Sequence, residues 1–141
     1  MKYVIDASVA FKWVVPELYQ DKARLLRVDF TNGLHELVAP DFFPVELAHA
    51  LTRAERQNRV TPGQALALWT GVMATAPDFH PSFPIMARAI AISSQMRIGV
   101  YDCVYIALAE REKCDLVTAD DKLVNNVQNQ FPFVRHLSTL P

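Results

Sequence analysis

The chain predicts an α/β sandwich with a mostly parallel sheet. Two observations carry this: short apolar, strand-like runs alternate with amphipathic helical ones from end to end, and two of those runs stop at a carboxylate. A third bounds the class. Over 141 residues, 51% hydrophobic and 21% charged content supports a packed core, which at this size needs neither a metal nor a disulfide to hold it.

The elements follow in order. Lys2 to Ile5 is a short strand candidate ending at Asp6, and Ser8 is placed to cap a helix through Trp13, stopped by Pro16. Asp21 to Phe30 places Ala23, Leu26 and Phe30 on one face between charges, and Asn32-Gly33 closes it. Leu37 to Ala39 is a brief strand before Pro40. Phe43 to Gln57 reads as a helix with Pro44 in its first turn and a stripe of Val45, Ala48, Leu51, Thr52 and Glu55. Thr61-Pro62 marks a helix start running to Thr75. Asp78 to Phe83 is a loop or short strand. Ile85 to Met96 is helical with Gly99 as its stop, Tyr101 to Lys113 is helical again, Leu116 to Thr118 is a strand, Asp121 to Gln130 a helix and Val134 to His136 a last strand. No linker or composition shift divides the chain, so one domain over residues 1–141 is expected.

Fourteen Lys and Arg against fifteen Asp and Glu give a net charge of −1, which excludes a strongly basic nucleic-acid coat and a polybasic membrane binder. The two cysteines, Cys103 and Cys114, have no metal-ligand spacing, and a reducing cytoplasmic setting is expected. Asp6 and Lys12 interrupt any signal-peptide core, and no run approaches the roughly 18 apolar residues of a membrane helix, so no membrane association is expected.

Four acids stand among residues that ought to be buried. Asp6 follows Tyr3-Val4-Ile5, Glu46 lies between Val45 and Leu47, Asp102 opens the run from Cys103 to Ala109, and Asp120 ends Leu116-Val117-Thr118-Ala119. A buried carboxylate needs a cation, a donor set or a raised pKa. Each has a structural alternative: Asp102 and Asp120 can cap or favour helix starts, and so can Glu46. Taken together, two acids at strand ends and two at helix starts suit one rim of a parallel sheet, where ligands bind. Converging carboxylates repel, and hard divalent cations with oxygen preference relieve the repulsion.

The ordered set Val4-Ile5-Asp6-Ala7-Ser8-Val9, Pro44-Val45-Glu46, Tyr101-Asp102 running into Tyr105-Ile106-Ala107-Leu108-Ala109, and Leu116-Val117-Thr118-Ala119-Asp120 resembles a PIN domain and, more narrowly, the VapC-like ribonuclease toxins of toxin–antitoxin pairs. The resemblance spans almost the whole chain. It implies a three-layer α/β/α sandwich and a Mg²⁺- or Mn²⁺-dependent endoribonuclease. Asp6, Glu46, Asp102 and Asp120 match the acidic quartet by position, with Asp6 and Asp102 as direct metal ligands, and Ser8 and Thr118 match the supporting hydroxyls. It also implies an RNA substrate, a small antitoxin that covers the acids, and a homodimer. Cys103 stands where the family often has Ala, and the segment between Pro77 and Pro84 aligns with no family feature.

Other residues carry two readings each. Arg53, two turns on from Glu46, is a candidate to guide an RNA phosphate or else a solvated cation at a helix end; Lys12 is a similar candidate. His49 lies one turn from Glu46. Phe11, Trp13, Phe42 and Phe43 suit core or dimer packing better than base stacking. Asp121 is set aside as a helix-start residue. Two other functions fit less of the chain. A phosphatase of the haloacid-dehalogenase kind wants a second Asp where Ser8 stands, and a receiver domain wants a paired acid before its Asp. A binding module without catalysis does not explain four retained acids.

If the four acids form one centre, eleven others remain against fourteen basic residues, and the rest of the chain carries +3. A near-neutral total then conceals an acidic centre in a mildly basic body.

Overall fold

A computed structural model describes all residues, Met1–Pro141. Five strands form one wholly parallel sheet: β1 (Lys2–Ile5), β2 (Glu36–Pro40), β3 (Asp78–His80), β4 (Asp115–Thr118) and β5 (Val134–His136), in the order β3-β2-β1-β4-β5. β1 is central. Tyr3 pairs with Leu37 of β2 on one side and Asp115 of β4 on the other, and Val4 and Ile5 are fully buried, as expected of a strand covered on both faces. The edge strands β3 and β5 are only three residues long, which leaves little unpaired backbone for another chain to copy.

Seven α-helices cover the sheet: α1 (Ala7–Val14), α2 (Gln20–Thr31), α3 (Phe43–Arg56), α4 (Ala65–Met73), α5 (Met86–Met96), α6 (Val100–Glu112) and α7 (Asp121–Val127). The expected three-layer α/β/α sandwich is present, with the sheet entirely rather than mostly parallel. α6 is buried without a break from Cys103 to Ala109 and packs on β1, β2, β4 and α5. Forty buried hydrophobic residues form a single continuous cluster.

Several element ends differ from expectation. Asp6, not Ser8, caps α1: its carboxylate accepts the Ser8 N–H, because Asp6 is the last extended residue. The buried face of α3 is Phe43, Leu47, Leu51 and Ala54, whereas Val45 from the expected stripe is 71% exposed. Packing against α1 and α4, more than the sequence pattern, sets which face turns inward. α4 starts at Ala65 and not at Thr61-Pro62, since Gly63 turns the chain at φ 89°, and the Glu55 carboxylate accepts the Ala65 N–H at 2.9 Å. The α4 and α7 helices also stop earlier than expected, at Met73 and Val127. Arg97, at φ 58°, ends α5; Gly99 instead precedes α6 in extended conformation. The Trp69 indole N–H donates to the Pro44 carbonyl at 2.9 Å and pins α4 onto α3, a packing role.

The strand order has a functional consequence. β1, β2 and β3 run outward in one direction and β4 and β5 in the other. Chain connections therefore diverge between β1 and β4, and in open α/β sheets the crevice for ligands lies at the carboxyl ends of the strands at such a switch point. Asp6 follows β1 and Asp120 lies two residues beyond β4.

Candidate active site

Asp6 is built into this switch point. It is 7% exposed, and its carboxylate is clasped from the first turn of α1 and the end of β4. Oδ1 accepts the Ser8 N–H at 3.1 Å and the Ser8 hydroxyl at 2.5 Å; Oδ2 accepts the Thr118 hydroxyl at 2.5 Å. Each hydroxyl is used twice. Ser8 Oγ accepts the Ala119 N–H at 2.9 Å, and Thr118 Oγ1 accepts the Asp120 N–H at 3.1 Å. The two hydroxyls thus stitch the ends of β1 and β4 together through Asp6, which is the supporting role expected of Ser8 and Thr118. A carboxylate offers about four acceptor positions, so Asp6 retains one on Oδ2.

The other acids come from three further places. Asp120 is exposed and caps α7, its Oδ1 accepting the Leu123 N–H at 3.1 Å, so the capping alternative holds alongside its place at the rim. Asp102 stands in the first turn of the buried α6, half-buried. Glu46 stands in the first turn of α3 and accepts the Tyr105 hydroxyl at 2.9 Å on Oε1. Tyr105 lies one turn after Asp102 on α6, inside a run of small and aliphatic residues. Its place at i+3 from an acid was the one sequence signal for it.

The four carboxylates feel one another. Burial pushes Asp6 above the ordinary range; its three donors oppose the shift and the charge on Asp120 adds to it. Burial pushes Glu46 up to about 7, against the Tyr105 bond and with repulsion from Asp6 and Asp102. Burial, then Asp6 and Asp120, pushes Asp102 up to about 6, and no hydrogen bond opposes it. Charge repulsion thus links Asp6 with Glu46, Asp102 and Asp120, while none joins Glu46 directly to Asp120. None of the four is ion-paired, and they offer only oxygen donors, which suits a hard divalent cation. No three carboxylates, imidazoles or thiols form a group that could hold a metal ion between them, so a cation bound by any two of these acids would take the rest of its shell from water.

Three recesses lie around this end of the sheet, and two of them contain an acid of the quartet. One of about 450 Å³ reaches Ser8 and Ala119 and is lined by Lys12, Arg53 and Arg59. A second of about 510 Å³ opens on Glu46. A third of about 270 Å³ holds Asp102 and Asp120 beside Arg97 and Lys122. Arg53 is exposed on the first, as its spacing from Glu46 implies. Lys12 lines it too, but its ammonium is bound to Glu17 at 3.1 Å, and Arg59 meets the other Glu17 oxygen while lying 5.6 Å over the Phe11 ring. Arg59 was visible only as one of the basic residues that follow Glu46, and Glu17 had no signal in the sequence, because their pairing is made by tertiary approach.

The remaining candidates fall outside the centre. Phe11, Trp13 and Phe43 are core residues. Asp121 pairs with His136 at 2.9 Å. Burial pushes the Cys103 thiol up to about 11, which leaves it no role as a nucleophile at neutral pH.

Comparison with known proteins agrees with this geometry. The family model for the PIN domain matches residues 3–127, and the chain belongs to the PIN domain family. Within it, the chain is similar to proteins named VapC ribonucleases. It is 30% identical to ribonuclease VapC3 of Pyrobaculum aerophilum over 127 residues, covering 87% of this chain and 92% of that one. It is also 30% identical to ribonuclease VapC9 of Mycobacterium tuberculosis over 132 residues, covering 92% and 94%. The crystal structure of PAE2754 from Pyrobaculum aerophilum superposes with a TM-score of 0.68 over 99% of this chain and 94% of that one; at 19% identity it speaks for the fold.

Proposed function

We propose that the chain is a metal-dependent endoribonuclease of the VapC class that hydrolyses RNA phosphodiesters with water. The clasp on Asp6 carries the reading: three donors, two from Ser8 at the start of α1 and one from Thr118 on β4, hold a buried carboxylate at the switch point, within electrostatic reach of three more acids. Donors of this kind fix a ligand's direction and keep it available to a cation.

Asp6 and Asp102 would hold Mg²⁺ or Mn²⁺, with Glu46 and Asp120 acting through water. Such an ion supplies charge neutralisation at a phosphoryl oxygen and a more acidic water. The chain's own groups do the rest. Ser8 and Thr118 keep Asp6 oriented. Glu46 spends Oε1 on Tyr105 and has Oε2 free to take or return a proton, and its burial keeps that exchange near neutral pH. Arg53 meets the RNA phosphates on the approach, and Lys12 joins it when released from Glu17.

The VapC relatives extend the proposal to partners. A small antitoxin covers the acids, a second copy of the chain completes a homodimer, and the protein works in the cytoplasm. No helix is long and apolar enough to cross a membrane.

The test is cleavage of a labelled RNA pool in Mg²⁺ or Mn²⁺. EDTA is expected to abolish cleavage, readdition of metal to restore it, and Asp6→Asn or Asp102→Asn to remove it while the circular dichroism spectrum stays native. Cleavage that persists in EDTA overturns the metal-dependent reading. Tight RNA binding with no cleavage in any divalent metal favours a binding module instead.

A further inference from the structure

The helix α3 separates two of the recesses, and they differ in chemistry. The first carries Arg53 together with Lys12 and Arg59, which share Glu17; the second carries no cation of that kind and is formed by Phe42, Val45, Glu46, His49 and Tyr101. His49 lines both. Glu46 belongs to the coupled acids, so the second recess opens directly onto the reacting centre.

Its rings are held in place. The Phe42 ring meets Tyr101 edge-on at 5.1 Å and Tyr105 edge-on at 5.6 Å, and Tyr105 is itself bonded to Glu46. Tyr101 is nevertheless 62% exposed, with Val45 bare beside it. A braced aromatic surface left open to solvent next to a charged centre marks a binding site more than a packing defect.

We propose that this recess is a subsite for one unpaired RNA base, adjacent to the bond that is cut, with Tyr101 as its specificity-determining residue. The proposal rests on the ribonuclease reading and names its substrate as single-stranded RNA. A volume of about 510 Å³ lies within the range of small-molecule sites, roughly 300–1,000 Å³. Aromatic faces accept the π-face of any base, while His49 offers polar atoms to its edge. The cationic recess takes the phosphates that the aromatic one has no charge to hold, so the strand crosses α3 at His49. A base held in a duplex cannot enter without being unstacked, which disfavours paired RNA.

The experiment couples protein and substrate changes. Tyr101→Ala and Tyr101→Phe are compared on an RNA in which an abasic nucleotide is moved, one position at a time, past the cleavage site. Tyr101→Ala is expected to raise KM about 10-fold with kcat within about 2-fold, the size of one lost stacking contact, and Tyr101→Phe to behave as the parent. One abasic position should cost the parent that same factor and cost Tyr101→Ala nothing. Cleavage with no such coupled position overturns the subsite, as does an unchanged KM accompanied by weaker self-association, which would assign the recess to a protein partner. The same scan is read as binding with the Asp102→Asn variant. If the parent cleaves nothing but the coupling appears in Kd, the ribonuclease reading fails and the subsite stands; if neither shows it, the subsite fails.

Discussion

Asp6 and Asp120 follow adjacent strands on the same rim of the sheet, and their surroundings are opposite. Asp6 is buried, with three donors on its two oxygens; Asp120 is exposed, with a single donor from the helix it caps. Topology delivers both residues to the switch point, but solvation and the number of donors set what each can do. A carboxylate locked by two hydroxyls keeps one direction, whereas a capping carboxylate at the surface can turn or be replaced.

The largest expected effect is on turnover. Asp6→Asn should lower RNA cleavage roughly 1,000-fold, since an amide puts a donor where hydroxyls already donate and removes the charge. Asp120→Asn should lower it only roughly 10-fold, the range of an outer partner. Cleavage rates on one labelled RNA decide this, and equal losses would erase the distinction.

Stability sharpens it next. Thr118→Val keeps the shape but leaves Asp6 Oδ2 and the Asp120 N–H unpaired, so urea unfolding should show a loss of roughly 1–3 kcal/mol. Asp120→Asn should stay within about 0.5 kcal/mol, because Asn caps a helix as well as Asp. A neutral Thr118→Val would mean that the clasp is ornamental.

The subtlest effect is on pH dependence without metal. Glu46 rises from an ordinary 4.5 to about 7 and Asp102 from 3.8 to about 6, so the folded chain holds these protons more tightly than the unfolded one. Their contribution is present at low pH and is lost as pH rises through roughly 4 to 7, the reverse of a salt-bridged acid. Thermal unfolding in EDTA should therefore show Tm falling across that window. Asp102→Asn should flatten the fall, Asp120→Asn should flatten it less, and Mg²⁺ should reverse it by stabilising the ionised acids. A Tm rising over the same interval would contradict the burial of these groups.

Much of this centre was legible in the sequence, for local reasons. An acid directly after Tyr3-Val4-Ile5, or ending Leu116-Val117-Thr118-Ala119, betrays itself because the strand before it must be buried. Ser8 and Thr118 were legible only through family resemblance, because what they do depends on β1 lying beside β4, a pairing that no local pattern encodes. The bare Val45 was misread as a core position because α3 carries enough apolar residues for two faces. The Glu17 contacts to Lys12 and Arg59, and the Phe42–Tyr101 pair, arise from tertiary approach between distant segments and left no trace in spacing.

The hydroxyl of Thr118 reaches Asp6 across 112 positions of chain. During synthesis Asp6 leaves the ribosome early, with only the neighbouring Ser8 to donate to it, and its Oδ2 waits for Thr118 until almost the entire chain has followed. At roughly 5–20 residues per second that interval lasts several seconds at least. The clasp on Asp6 is therefore completed only when the penultimate strand has been made.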